Sequence, residues 1–196
     1  LPERDFGAVN GQKQTPQGEL TLTGWYQTLD WIYYDQAAGK ESYEDIQSVE
    51  QNFGDDAATT KVAQSFQLLA TRGWAAEQVM VRVKKVEAPT DNLVISLADG
   101  VTGDILSSAT IAAADVPDHM DWVTGTLVTR ITMAPSTYYS IIVSRSGAND
   151  GTNYYQVDVN EALGYGRGVF RIWNGSAWVA RGTDADMPFQ VLGMEV

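Results

Sequence analysis

The sequence predicts an all-β protein built as an antiparallel β-sandwich. In residues 79–84 valine alternates with methionine, arginine and lysine, and in residues 93–97 leucine and isoleucine repeat the same period of two. This alternation is typical of strands that place one face on a core and the other in solvent. The link 87–92 contains the proline, aspartate and asparagine that favour a chain reversal. Similar segments recur along the rest of the chain, which extends the prediction to a whole sandwich.

The later strand signals follow one another with short turns between them. Asp150–Gly151 and Asn174–Gly175 are the sharpest turn signals. Residues 138–143 are almost continuously apolar, which indicates a central strand. The remaining predicted strands are 105–111, 122–133, 155–159, 169–173, 177–180 and 187–191.

Eight or nine strands without a long helix indicate a sandwich, and we favour a jelly roll with an extended N-terminal arm. In a jelly roll the first and last strands lie beside each other and close one sheet. Because each strand must keep one face dry, the period of two also predicts the core. The residues expected to be buried are Val81, Val83, Ile95, Leu97, Ile131, Ile141, Val143, Val157, Phe170 and Phe189.

The chain before residue 61 differs from the sandwich in its pattern. Residues 1–19 carry little periodic apolar content and are predicted to form an arm that orders against a neighbouring subunit or stays loosely ordered. Residues 20–35 are the densest aromatic stretch and predict a β-ribbon. We therefore predict two parts: an arm with an aromatic ribbon in residues 1–60, and a β-sandwich domain in residues 61–196.

The acidic stretch that ends the first part carries a different signal. Tyr43, Ile46 and Val49 lie at helical spacing, which predicts a short helix within residues 36–60. A long loop is the alternative. In either case, the boundary with the sandwich is placed near residue 60.

Composition narrows the functional classes. The 25 acidic and 13 basic residues give a net charge of −12, which repels phosphate backbones and argues against nucleic-acid binding. Charged residues are only 19% of the chain, below the roughly 25% of ordinary globular proteins. The absence of cysteine excludes disulfides and thiolate metal sites. No apolar run is long enough to span a bilayer, so no membrane insertion is expected.

An enzymatic function is not expected. His119 is the only histidine, so a Ser-His-Asp triad would have to use it. No Gly-x-Ser-x-Gly motif accompanies it, and no phosphate-binding glycine loop is present. We expect His119, which lies between Asp118 and Asp121, to be structural or exposed to solvent.

Calcium is the one cofactor that the sequence suggests. Asn149, Asp150 and Asn153 share one loop, and Asp184 and Asp186 share another. Calcium prefers carboxylate, amide and carbonyl oxygens in such loops. The competing interpretation is that both segments are ordinary turns.

Several segments together resemble a recurring β-sandwich module found in structural proteins of tailed phages and in bacterial surface proteins. The resemblance covers about residues 61–196 and implies a jelly roll that decorates capsids, builds fibres or tails, or binds glycans. The segments that carry it are Ala63-Gln-Ser-Phe66, residues 79–86 and 93–97, Tyr138-Tyr-Ser-Ile-Ile-Val143, Phe170-Arg-Ile-Trp-Asn-Gly-Ser-Ala-Trp178 and Asp186-Met-Pro-Phe-Gln-Val191.

Two functions follow as hypotheses. The first is a structural virion protein that forms homo-oligomers and contacts other virion proteins through its arm and aromatic residues. The second is a carbohydrate-binding or adhesion module in which exposed aromatic rings stack on a glycan. Both place the protein on a virion or an extracellular surface. The residues expected to make the assembly or glycan contacts are Trp25, Tyr26, Trp31, Tyr33, Tyr34, Trp173 and Trp178.

Overall fold

The computed structural model describes residues 38–46, 49–68, 73–162 and 164–195, and these residues form an all-β structure. A single turn of 3-10 helix spans Ala113–Asp115. Among the described residues, no helix has the length and apolar character needed to cross a membrane. The strands are β1 Ala38–Tyr43, β2 Val49–Phe53, β3 Lys61–Gln67, β4 Trp74–Val86, β5 Leu93–Asp99, β6 Ile105–Ile111, β7 Asp121–Met133, β8 Tyr138–Arg145, β9 Tyr154–Val159, β10 Phe170–Trp173, β11 Trp178–Ala180 and β12 Phe189–Glu195.

Two antiparallel sheets pack face to face as a jelly roll. One sheet contains the order β2-β9-β4-β7, and the other contains β3-β8-β5-β6. Consecutive strands alternate between the sheets except at the β5–β6 hairpin, which is the jelly-roll arrangement. The predicted fold class is therefore confirmed. The apolar strand β8 lies between β3 and β5, which agrees with its predicted central position.

Four further strands extend this framework. β10 pairs with β3, and the β10–β11 hairpin continues that sheet outwards. β12 shares one edge of β4 with β9: β9 pairs with residues 83–86 of β4, and β12 pairs with residues 74–81. β1 lies beside β12 at the end of the other sheet. The long strand β4 is therefore the point at which that sheet divides.

The N-terminal part of the sandwich differs from the sequence expectation. Residues 49–53 form β2 rather than part of a helix, and β2 pairs with β9 from Val49–Val159 to Phe53–Tyr155. Tyr43, Ile46 and Val49 lie at helical spacing, but residues 49–53 are extended. The extended strand is favoured because it buries Phe53 in the core, where its ring stacks on Tyr155. The sandwich consequently begins before residue 61, since β2 is the first strand of the jelly roll.

The core lies between the two sheets and matches the alternating pattern. Of the ten residues predicted to be buried, Ile131 is half-buried against the core and the others are fully buried. Ile131 is less buried because β7 loses its regular register with β4 just before it, between Thr126 and Ile131. The strand alternation therefore identifies core residues well wherever the pairing is regular.

Candidate functional site

The aromatic residues predicted to make assembly or glycan contacts fall into two groups. Residues 25–34, with Trp25, Tyr26, Trp31, Tyr33 and Tyr34, lie outside the described part of the chain. Trp173 and Trp178 are described and face each other across the β10–β11 hairpin.

The two tryptophans of the hairpin form a compact group rather than a flat surface. The rings of Trp173 and Trp178 meet edge to face, with centroids 5.5 Å apart and planes at 65°. Lys61 Nζ lies 5.2 Å from the Trp173 ring centroid and 5.7 Å from that of Trp178, which is the geometry of a cation–π contact. Trp178 also packs against a small buried cluster that includes Ile142. Because the rings are not coplanar, they do not offer two parallel stacking faces to one sugar chain.

The first loop suggested for calcium is an internally bonded turn. Asp150 Oδ1 accepts hydrogen bonds from the N–H groups of Thr152 and Asn153, and its Oδ2 accepts one from Asn153 Nδ2. These hydrogen bonds lower the pKa of Asp150, with the Asn153 side chain as the largest cause. Asn149 turns away and donates to the carbonyl of Asp56. The loop geometry is thus accounted for by bonds within the protein.

The second pair of acidic residues is split between surface and interior. Asp184 is exposed, whereas Asp186 is buried with both carboxylate oxygens bonded: Oδ1 to Gln64 Nε2 at 2.6 Å and Oδ2 to Tyr165 N at 2.6 Å. Burial raises the pKa of Asp186, and the Asp184 charge adds to this, while the two hydrogen bonds act in the opposite direction. Among the described residues, no three Asp, Glu or His side chains are grouped so that they could hold a metal ion.

His119 lies on the surface, as expected. Its side chain is 73% exposed, with Nδ1 3.2 Å from Asp118 Oδ1 and Nε2 4.0 Å from Asp121 Oδ2. The hydrogen bond to His119 is the main cause of a lowered pKa at Asp118. The ring therefore contacts two exposed carboxylates, and its surroundings are those of a solvent-facing histidine.

Within the described residues, one concave site is a groove of about 640 Å³ where the edges of the two sheets meet. One side is the second half of β6 with the short segment that follows it, and the other is the first half of β7. Side chains of opposite character line it: an indole, two carboxylates, three hydroxyls and small apolar groups. Its lining residues include Trp122, Thr124 and Thr126 of β7, Thr110 and Ile111 of β6, and Asp115 and Asp121 beside them.

A second feature of the same edge is an exposed group of large apolar side chains, which we call the edge patch. Two hydrogen bonds join segments that carry its members: Thr129 N–H donates to Ser107 Oγ at 3.0 Å, and Gly100 N–H donates to the Tyr138 carbonyl at 3.0 Å. Val128 is the most exposed member, at 84%. The edge patch consists of Val101, Ile105, Leu106, Val128 and Tyr138.

Neither the groove nor the edge patch was identified from the sequence. Trp122 was placed only at the start of a strand, although Trp122, Thr124 and Thr126 repeat with period two on what proved to be its outer side. Ile105 and Leu106 are consecutive apolar residues at the start of the predicted strand 105–111. Consecutive apolar residues are also typical of a buried strand, so this pair does not by itself predict an exposed edge.

Comparison with known proteins leaves the chain without an assigned family. No family model and no curated protein matches the sequence. Among solved structures, it is similar to a family two carbohydrate esterase from Cellvibrio japonicus, with 7% identity and a TM-score of 0.30. The match covers 81% of this chain and 35% of the esterase chain, so this chain spans about a third of that protein. At this TM-score the likeness carries no functional argument.

Proposed function

We propose that this protein is a structural component that acts through contacts between its own subunits, such as a decoration, fibre or tail part of a virus particle. The observation that carries the proposal is the uncharged outer strand β6. Its sequence, Ile-Leu-Ser-Ser-Ala-Thr-Ile, has no charged residue and no proline, and it lies at the end of its sheet in the described part of the chain.

Such an edge is uncommon in proteins that remain monomeric. Natural sheets usually protect their edges with lysine, proline, bulges or a covering segment, because free backbone groups pair with other strands. β6 has a bulge opposite Leu97 and Ala98, but the bulged region carries the exposed side chains Ile105 and Leu106. Within the described residues, the outer edge of β6 thus has no pairing strand, and it carries exposed apolar side chains.

The edge patch supports a second copy of this chain as the partner. In a two-fold contact the same surface meets itself, so an apolar patch at a strand edge can pair with its own copy. Burial of this surface contributes about 25 cal/mol per Å² of apolar area. The resemblance to phage structural modules supports a place in a virus particle.

The test is the oligomeric state of the full chain. Sedimentation velocity should give a species larger than the 21.4 kDa monomer for the wild type. The double variant Ile105→Lys/Val128→Lys should shift the sedimentation distribution to the monomer. The two lysines repel the same lysines of a second copy, so the apolar surface stays exposed to water.

A matched control separates the patch from general surface effects. Val179 on β11 is 48% exposed and lies in the sheet that contains β6, at its opposite end. Val179→Lys should leave the sedimentation profile unchanged. A wild-type chain that stays monomeric at high concentration, or a Val179→Lys variant that dissociates as fully as the double variant, would contradict the proposal.

A further inference from the structure

The groove between β6 and β7 is a preformed concave site. Its volume of about 640 Å³ lies within the roughly 300–1,000 Å³ range of small-ligand sites. One wall is fixed to the sandwich by Lys85, whose Nζ donates to the Ala113 carbonyl at 3.1 Å and whose backbone N–H donates to the Pro117 carbonyl at 2.8 Å. Because these bonds tie the segment between β6 and β7 to β4, the groove does not depend on a ligand to form.

The lining of the groove combines one flat apolar surface with several hydrogen-bonding groups. Trp122, Thr124 and Thr126 alternate along β7, so their side chains leave the strand on one side at intervals of about 7 Å. Trp122 is half-buried, so part of its side chain is accessible to a ligand. Asp115 and Asp121 place carboxylates at the groove. Asp121 Oδ1 accepts from the N–H of Trp122, and Thr126 Oγ1 accepts from Gln78 Nε2, so each of these two residues has hydrogen-bonding capacity left for a ligand.

These groups match the chemistry of a sugar ring. A pyranose has an apolar C–H face, which an indole can cover, and a rim of hydroxyls, which carboxylates and threonine hydroxyls can bond. Hydrogen bonds to a carboxylate are stronger than those between neutral groups. A row of alternating side chains along an extended strand suits a ligand with several successive sugar units better than a single one.

The charge of the groove selects among sugars. Asp115 and Asp121 line it, and the whole chain carries a net charge of −12. The cations beside it on β4 are already engaged, because Arg82 pairs with Asp158 and Lys85 Nζ donates to the Ala113 carbonyl. A uronic or sialic acid would bring another carboxylate into this field, and like charges in close contact are repelled. The field therefore favours uncharged sugars.

We propose that this groove binds a neutral oligosaccharide, with Trp122 as the stacking surface and with Asp115, Asp121 and the threonines of β7 as hydrogen-bonding groups. The site is distinct from the Trp173–Trp178 pair. The groove uses the second half of β6, whereas the edge patch uses the first half.

The experiment is calorimetric titration of the full chain with a panel of hexasaccharides. The neutral members are cellohexaose, xylohexaose, mannohexaose, maltohexaose and N-acetylchitohexaose, and the acidic member is hexagalacturonate. At least one neutral member should bind, and hexagalacturonate should bind at least tenfold more weakly than the best of them. If no neutral member binds, or if hexagalacturonate binds best, the proposal is overturned.

Variants of the groove locate the binding site. Trp122→Ala should weaken binding of the best neutral ligand about tenfold or more, which corresponds to about 1.4 kcal/mol. Trp122→Phe should retain part of the affinity and serves as the test if the alanine variant does not fold. Trp178→Ala is the matched control and should bind like the wild type. Binding that is unaffected by both Trp122 variants would place the sugar elsewhere and overturn the assignment.

A charge variant tests the selectivity separately. Asp115→Asn/Asp121→Asn removes two negative charges from the groove while keeping hydrogen-bonding side chains. The ratio of the affinity for the best neutral hexasaccharide to the affinity for hexagalacturonate should fall about tenfold in this variant. An unchanged preference would show that the two carboxylates do not face the ligand, which contradicts the proposal.

Discussion

At the residue scale, two carboxyl groups show opposite electrostatic surroundings. Burial alone would raise the pKa of Asp91, but the hydrogen bond and charge of Arg145 and the N–H of Gly147 outweigh it and lower the pKa. At Asp186, burial prevails and the pKa is raised. The difference has a simple origin: Asp91 has a cationic partner, whereas the donors to Asp186 among the described residues are neutral, namely Gln64 and the backbone of Tyr165.

The Asp91–Arg145 pair joins the loops at one end of the sandwich. Arg145 donates from Nε to Asp91 Oδ2 at 2.9 Å and from Nη2 to Asp91 Oδ1 at 2.5 Å. Its Nη1 also donates to the carbonyls of Gly54 and Asn153, each at 2.8 Å. Three connections between strands therefore converge on one guanidinium, whose side chain is 6% exposed.

We predict that Asp91→Asn lowers the free energy of unfolding by about 3 kcal/mol at neutral pH, because it leaves a buried guanidinium without its counter-charge. Urea unfolding measures this. Since the folded pKa of Asp91 lies below its unfolded value of about 3.9, the ionised carboxylate contributes stability above that pH, and the contribution is lost as pH falls through the folded pKa. The variant should consequently lose less stability than the wild type between about pH 5 and pH 2.

A surface pair provides the comparison. Glu50 pairs with Lys84 at 2.9 Å, with side chains 40% and 22% exposed, and exposed pairs contribute little. Glu50→Gln should change the unfolding free energy by no more than about 0.5 kcal/mol. Equal effects of the two substitutions would show that the Asp91–Arg145 pair has no special role.

At the element scale, the packing of β7 against β6 depends on a glycine. A Cβ at Gly125 would lie 2.8 Å from the Cβ of Ala109, which is closer than real methyl groups approach. The absence of a side chain lets the two edge strands meet and completes the core below the groove. The exposed loop residue Gly182 provides a contrast, because a Cβ there would meet nothing within 4 Å.

We predict that Gly125→Ala lowers the free energy of unfolding by about 1–3 kcal/mol through overpacking. Gly182→Ala should change it by less than about 0.5 kcal/mol. Adding Ala109→Gly to Gly125→Ala should cost less than the sum of the two single substitutions, because the two methyl groups no longer compete for the same space. Strict additivity in urea unfolding would show that the contact between Gly125 and Ala109 is not the source of the effect.

At the scale of the whole molecule, closure of the jelly roll depends on β2. This strand covers the outer edge of β9 and places Phe53, which is fully buried, against Tyr155 with ring centroids 5.9 Å apart. Without β2, the edge of β9 and a core aromatic contact would both be exposed to solvent. The compact unit that contains the sandwich accordingly runs from Gly39 to Val196.

We predict that a chain beginning at residue 39 unfolds cooperatively in urea, whereas a chain beginning at residue 61 does so at a much lower midpoint or not at all. The physical reason is the loss of the β2–β9 pairing and of Phe53, whose removal alone should cost about 3–5 kcal/mol. Phe53→Ala in the full chain measures that part separately. Equal midpoints for the two truncated chains would contradict the assignment of β2 to the fold.

Much of the architecture could be predicted from local sequence because the relevant forces are local. Alternation along β4, β5 and β9 identifies the buried face, since successive side chains of a strand point in opposite directions. The turn at Asn174–Gly175 is likewise set by its own residues: Gly175 has φ of 93°, and Asn174 Oδ1 accepts from the N–H groups of Ser176 and Ala177. These features require no knowledge of distant partners.

The tertiary structure decided which strands pair and where the chain offers a surface. Asp186 and Gln64 are 122 residues apart in sequence, yet their hydrogen bond fixes how the chain enters β12. The groove at Trp122 exists only because β6 and β7 end neighbouring sheets. An alternating pattern shows that one face of a strand is buried and the other is exposed to solvent. Because this pattern is the same in every strand, it does not show which strands pair. Which strand pairs with which depends on how all the strands together fill one shared core. For this reason, neither the closing role of β2 nor the groove could be predicted from local sequence.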